Sequence, residues 1–234
     1  MSEKTVYLLA GGPSSNPEWM IGDFRTVFQA CGKLNPDIAY IGTANRESQA
    51  FFQRTQELLL AAGAQKVILV PVLGGQANLE ESKRILSEAD AVFLSGGEVE
   101  DGISGLRNSG LDVFLTKLYR GGKQFFGTSA GAIMMGRYWV HWDVENDDDT
   151  SSLFECLNFV PMTFDAHGEN EDWRELKCAL RLLGPGEEGY GLSDGGFYSS
   201  DTHGTLRAFR NGPKVFQNTG KEIGLKAGGY EDEQ

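Results

Sequence analysis

Hydrophobic and polar positions fall into two periods along the first half of the chain. Short, nearly continuous apolar runs occur at residues 6–10, 38–42, 66–72, 91–94 and 124–126, the pattern of strands buried on both faces of a parallel sheet. Between them the period lengthens to that of a helix. After Pro17, which suits a first helical position, Met20, Phe24, Val27, Phe28 and Cys31 recur at helical spacing and stop at Gly32. Residues 47–62 repeat the pattern with Phe51, Thr55, Leu58, Leu59 and Ala62, ended by Gly63. Asn78 and Glu81 have the spacing of a capping box ahead of Ile85 and Leu86. This alternation predicts right-handed βαβ units and a doubly wound, three-layer α/β fold with a mostly parallel sheet.

The pattern loosens after residue 129. An acidic tract, H-W-D-V-E-N-D-D-D-T-S-S at residues 141–152, interrupts the alternation and reads as a solvated loop; its acids lack the regular spacing of a calcium site. A strand-like N-F-V-P-M-T-F follows, then a helix over 173–183 and a strand over 190–192. The segment T-L-R-A-F-R-N-G-P-K-V-F-Q predicts a C-terminal β-hairpin turning at Asn211-Gly212. No repeat and no linker stands out, so residues 1–234 read as a single α/β domain.

Charge and composition narrow the function. A formal net charge of −12 leaves no basic stripe for nucleic acid and disfavours anionic membrane surfaces. No apolar run approaches membrane-spanning length, and the N-terminus has no charged-then-apolar leader, so a cytoplasmic location is expected. Cys31, Cys156 and Cys178 are an odd number without CxxC spacing, which points to incidental thiols rather than disulfides or zinc. No metal or other cofactor is expected.

The candidate chemistry lies at the strand ends, where ligands bind in such sheets. Glycines dominate them, at Gly11-Gly12, Gly42, Gly74-Gly75, Gly96-Gly97 and Gly127, but none completes a Rossmann or Walker motif. G-T-S-A-G at residues 127–131 fits the Gly-x-Ser-x-Gly turn that lifts a nucleophilic serine above a sheet. A small-residue turn that merely packs tightly fits the same letters. Were Ser129 a nucleophile, the Ala130 amide and one from Ser95-Gly96-Gly97 would face the developing oxyanion. Three histidines could supply the base. His141 borders the acidic tract and reads as a loop residue, His203 as a polar turn residue, and His167 follows a strand-like run directly. Two chain orders therefore compete: Ser129, Asp194, His203, as in α/β-hydrolases, and Ser129, His167, Asp194.

S-G-G at 95–97, G-T-S-A-G-A at 127–132, D-A-H at 165–167 and G-L-S-D-G at 191–195 together resemble the aspartyl dipeptidase (dipeptidase E) and cyanophycinase family of serine peptidases, over nearly the whole chain. The resemblance implies a fold akin to class I glutamine amidotransferases, flavodoxin-like in its layers, with serine in place of the cysteine nucleophile. It implies Ser129 as nucleophile, His167 as base, Asp194 as orienting acid, Gly97 and Ala130 as oxyanion donors, and His203 as a bystander. Asp194 stands where the family usually has glutamate, and Glu98 where it often has Asn or Asp. Arg174 is the nearest counterpart of the arginines that help read an acidic substrate, whereas Glu98, Glu169 and Glu171 suit an ammonium or another cation. Glu98 and Arg174 are thus the candidate substrate-binding residues.

The expectation is a serine peptidase of small peptides, with a small peptide as its partner, no cofactor, and a homodimer as the one assembly considered. Two rivals are an esterase using Ser129, Asp194 and His203, and a binding module that has lost turnover. A glutamine amidotransferase is disfavoured, because no cysteine occupies the elbow.

Overall fold

The computed structural model describes residues 5–11, 16–144 and 147–227. Gly12 of the first glycine loop and Glu145-Asn146 of the acidic tract lie outside the described residues. The five apolar runs become parallel strands β1 (Thr5–Ala10), β2 (Asp37–Ile41), β3 (Lys66–Leu69), β4 (Ala91–Leu94) and β5 (Gln124–Thr128). The helices predicted between them are α1 (Pro17–Ala30), α2 (Gln49–Ala62) and α3 (Leu79–Glu88). Each has the end chemistry its sequence calls for. Asn16 accepts hydrogen bonds from the Glu18 and Trp19 amides ahead of Pro17. Gly63 closes α2 in the left-handed conformation, φ 113°. Asn78 caps α3 through the Glu81 amide at 3.1 Å, but the Glu81 carboxylate binds Arg84, so the box is only half formed.

Two further helices, α4 (Val99–Ser109) and α5 (Leu111–Arg120), separate β4 from β5, and a short α6 (Ala130–Ile133) follows β5 at once. The remainder comprises β6 (Tyr138–Trp142), β7 (Ser151–Glu155), β8 (Thr163–Ala166), α7 (Arg174–Leu183), β9 (Glu188–Leu192), β10 (Gly196–Asp201), β11 (Leu206–Arg210), β12 (Lys214–Asn218) and β13 (Ile223–Leu225). The largest sheet has the order β11-β10-β1-β5-β4-β2-β3, parallel from β1 to β3, with β10 and β11 antiparallel at one edge. A second sheet has the order β13-β12-β9-β8, and β6 pairs only with β7.

Alternation along the strands divides the core into two layers. On one face Phe24, Val27 and Phe28 of α1 and Leu59 of α2 pack on Tyr40, Phe93 and Phe126, with Phe24 edge-on to Phe93 and Phe126 at 5.9 and 5.8 Å. On the other, Ile85, Ile103, Leu106 and Leu115 cover Val6, Leu8, Val92 and Leu94. Burying each of these large side chains contributes about 1.5–3 kcal/mol.

Three expectations from the pattern are corrected. The runs flanking Asn211-Gly212 do not form a hairpin: β11 pairs with β10 in the large sheet, β12 with β9 in the second, and the chain crosses between sheets at Asn211, where φ is 51°. The C-terminal hairpin is instead β12–β13. The N-F-V-P-M-T-F run is strand only from Thr163. The acidic tract is not simply a solvated loop, because it closes the β6–β7 hairpin and Asp148 within it binds Arg174 and Arg181 at 3.1 and 2.8 Å. No helix among the described residues is long and apolar enough to cross a membrane.

Candidate active site

Ser129 joins β5 directly to α6 with φ 53° and ψ −122°, a conformation that L-residues rarely adopt. The turn needs its glycines. A Cβ on Gly131 would lie 2.1 Å from the Leu94 carbonyl, so β4 and α6 approach backbone to backbone. The Ser129 amide is tied to Leu9 O at 2.9 Å, anchoring the elbow to β1. Strand end and helix start therefore leave the Ser129 hydroxyl half-buried at the carboxyl edge of the sheet.

His167 comes from the other sheet, one residue beyond β8, also in a left-handed conformation with φ 52°. Its Nε2 lies 2.8 Å from Ser129 Oγ. Its Nδ1 lies 3.6 Å from Asp194 Oδ1, and the Asp194 side chain is 74% exposed. At that distance the carboxylate acts as a charge beside the ring rather than as a hydrogen-bond acceptor.

The neighbouring strand end is built around Asn45. Its Nδ2 donates to Ser95 Oγ at 2.8 Å and to Gly96 O at 2.9 Å, and Tyr40 OH reaches the same Ser95 hydroxyl at 2.7 Å. A trans peptide points its carbonyl and its N–H to opposite sides. Holding Gly96 O on Asn45 therefore turns the Gly97 N–H away from that network. Gly97 has φ 142°, and a Cβ there would lie 2.1 Å from Ala44 O. Among the described residues neither the Gly97 nor the Ala130 amide donates to a backbone carbonyl outside regular structure.

Acidic side chains flank the site, some of them buried. Glu98 follows Gly97 at the start of α4. Asp165, two residues before His167, is 4% exposed; burial first, then the charge of Glu175, pushes its carboxyl up to about 7. Burial also raises Glu175, with Glu171 and Glu98 adding repulsion, although Trp139 Nε1 donates to it at 2.9 Å. Arg174 is turned to Asp148, and its guanidinium stands 5.8 Å from the Trp142 ring centre. No group of three or more His, Cys, Asp or Glu among the described residues is arranged to hold a metal.

The other histidines lie elsewhere. His141 is on β6 rather than in a loop, with Nδ1 2.8 Å from Glu100 and Nε2 3.3 Å from Asp143, contacts that raise its pKa. His203 sits in the β10–β11 turn. Because β10 runs antiparallel to β1 and pairs Asp201 with Thr5, His203 lies at the amino edge of the sheet, roughly 17 Å of strand from the Ser129 edge. The order Ser129, Asp194, His203 is thereby ruled out. Sequence reasoning missed Asn45 and Asp165. Alternation could not have flagged Asp165, because Thr163, Phe164 and Asp165 are all buried along β8.

The family model of Peptidase family S51, the dipeptidase E and cyanophycinase family, matches residues 7–201. The chain belongs to peptidase family S51. It is a serine peptidase, a hydrolase. Its fold is shared by the crystal structure of a peptidase from an acI-B1 Actinobacterium, at 16% identity and TM-score 0.68, covering 97% of this chain and 96% of that one. It is also shared by a protein assigned as a peptidase E from Listeria monocytogenes EGD-e, at 16% identity and TM-score 0.63, covering 90% and 100%. No curated protein matches the sequence. The S51 match ends at the last residue of β10, so β11 to β13 lie beyond it.

Proposed function

We propose that this S51 peptidase hydrolyses small peptides through Ser129, His167 and Asp194. The observation that carries the reading is the 2.8 Å contact between His167 Nε2 and Ser129 Oγ across the two sheets. His167 takes the hydroxyl proton as Oγ attacks the scissile carbonyl, and returns it to the departing amine. Asp194 fixes the tautomer with the proton on Nδ1 and stabilises the imidazolium. The Gly97 and Ala130 amides receive the oxyanion, each lowering the barrier by on the order of 3 kcal/mol. Water then hydrolyses the acyl-enzyme by the same proton path.

Arg174 is committed to Asp148, so the reading of substrate charge falls to Glu98, which adjoins the oxyanion donor and suits the α-ammonium of a short peptide. The test is labelling of Ser129 by a fluorophosphonate, followed by hydrolysis of a dipeptide panel. Labelling and turnover should both vanish in Ser129→Ala. A native protein that neither labels nor cleaves, beside an active control hydrolase, would refute the proposal.

A further inference from the structure

An orienting acid that is mostly exposed loses side-chain freedom when it is held, so its backbone must be fixed by something else. Residues 193–196 form a tight turn closed by Gly196 N to Ser193 O at 2.8 Å, with Gly195 at φ 70° as a type II turn requires. Asp194 is the leading corner residue. Four side chains then grip the turn's remaining polar groups. Ser193 N donates to Tyr198 Oη at 3.1 Å and Asp194 N to Glu169 Oε1 at 2.9 Å. Asn211 Nδ2 donates to Asp194 O at 3.1 Å, and Arg210 Nε to Gly195 O at 2.6 Å.

The last two grips are themselves anchored. Arg210 makes a two-pronged ion pair with Asp23 of α1, at 2.9 and 2.6 Å, and Asp23 is 5% exposed. Trp19 covers the guanidinium at 5.0 Å. Tyr198 OH donates to Asn211 O at 2.5 Å. The left-handed backbone at Asn211 is what turns its amide back toward Asp194. A turn on the surface is thus wired to a buried ion pair in the core.

We propose that Arg210 and Asn211, backed by Asp23, are positioning residues that set the place of Asp194 beside His167. This rests on the assignment of Ser129, His167 and Asp194 above. The test uses the full chain, a fluorophosphonate and the proton NMR spectrum, with Asp194→Ala as reference. Asn211→Gly removes the amide yet suits the backbone at φ 51°, so the fold is retained even if Arg210→Lys proves unstable. Both variants should slow Ser129 labelling about tenfold in the native background and less than about twofold in Asp194→Ala, because residues acting through one group are non-additive. The ring-proton resonances of His167 should move in Asn211→Gly in the same direction as in Asp194→Ala, because each takes the carboxylate charge from beside the ring. Equal slowing in both backgrounds, or native labelling and unchanged resonances in Asn211→Gly, overturns the proposal. If the native protein does not label at all, the peptidase assignment fails instead. The resonances alone then decide: the same displacement in both variants supports positioning, and native resonances in Asn211→Gly refute it.

Discussion

Ser129 stores backbone strain, and comparing two replacements measures it. At φ 53° and ψ −122° a non-glycine residue costs about 1–3 kcal/mol. Ser129→Ala and Ser129→Gly both lose the hydroxyl and its contact with His167, so that loss cancels between them. Glycine relieves the strain but brings its own entropy cost of about 0.5–1 kcal/mol. The site is half-buried, so removing a single Cβ sacrifices little contact. Ser129→Gly should therefore be more stable than Ser129→Ala by about 1 kcal/mol. For a chain of this size that raises Tm by about 2–4 °C. Calorimetry on the two variants at one pH reads the difference. A glycine variant that melts with or below the alanine variant would show that the elbow is unstrained, and the reasoning would fail.

Gly97→Ala places a Cβ 2.1 Å from Ala44 O at φ 142°; it should cost about 1–3 kcal/mol in denaturant unfolding and on the order of 100-fold in kcat through the displaced oxyanion donor. Asp165 titrates near 7 when folded and near 4 when unfolded. The folded state thus holds the extra proton between those values, and stability falls as pH rises from about 4 to 7. Asp165→Asn should remove that slope and gain roughly 2–4 kcal/mol at pH 8, read from urea midpoints across pH; an unchanged slope would refute the assignment. Glu98→Gln should lower kcat/KM about tenfold for dipeptides with a free ammonium and leave N-acetylated dipeptides nearly unchanged, in keeping with one lost charge-assisted contact.

Much of this site was legible because strain writes itself into residue type. Only small residues tolerate the elbow at Ser129 and the backbone contact at Gly97, so G-T-S-A-G and S-G-G announce themselves. His167 was legible because it directly follows an apolar run. Helices α4 and α5 were not. No side chain caps α4 at Glu98, and its interior holds Gly102 and Gly105, which read as loop residues in one dimension. In three dimensions a Cβ on Gly102 would lie 2.5 Å from Met134 Sδ, and one on Gly105 3.2 Å from Thr43. Close packing against Met134, Leu73 and the turn at residues 43–45, not flexibility, puts glycine there.

Asn211-Gly212 was misread for a different reason, and the reason bears on catalysis. The dipeptide reports a left-handed backbone, not which strand comes next. Ser129 belongs to the large sheet through β5, His167 to the second sheet through β8, and their 2.8 Å contact spans the two. Residues 193–195 and 211–213 are links between those sheets, from β9 to β10 and from β11 to β12. The links run side by side, joined by Asn211 to Asp194 O, while Arg210 at the end of β11 holds Gly195 O. Asp194, the proposed orienting acid, therefore sits on one sheet-to-sheet link and is fastened to the other. Motifs along the chain can nominate Ser129, His167 and Asp194 for the proposed triad. The distance between base and nucleophile is set by how these links hold two sheets together, which no local pattern encodes.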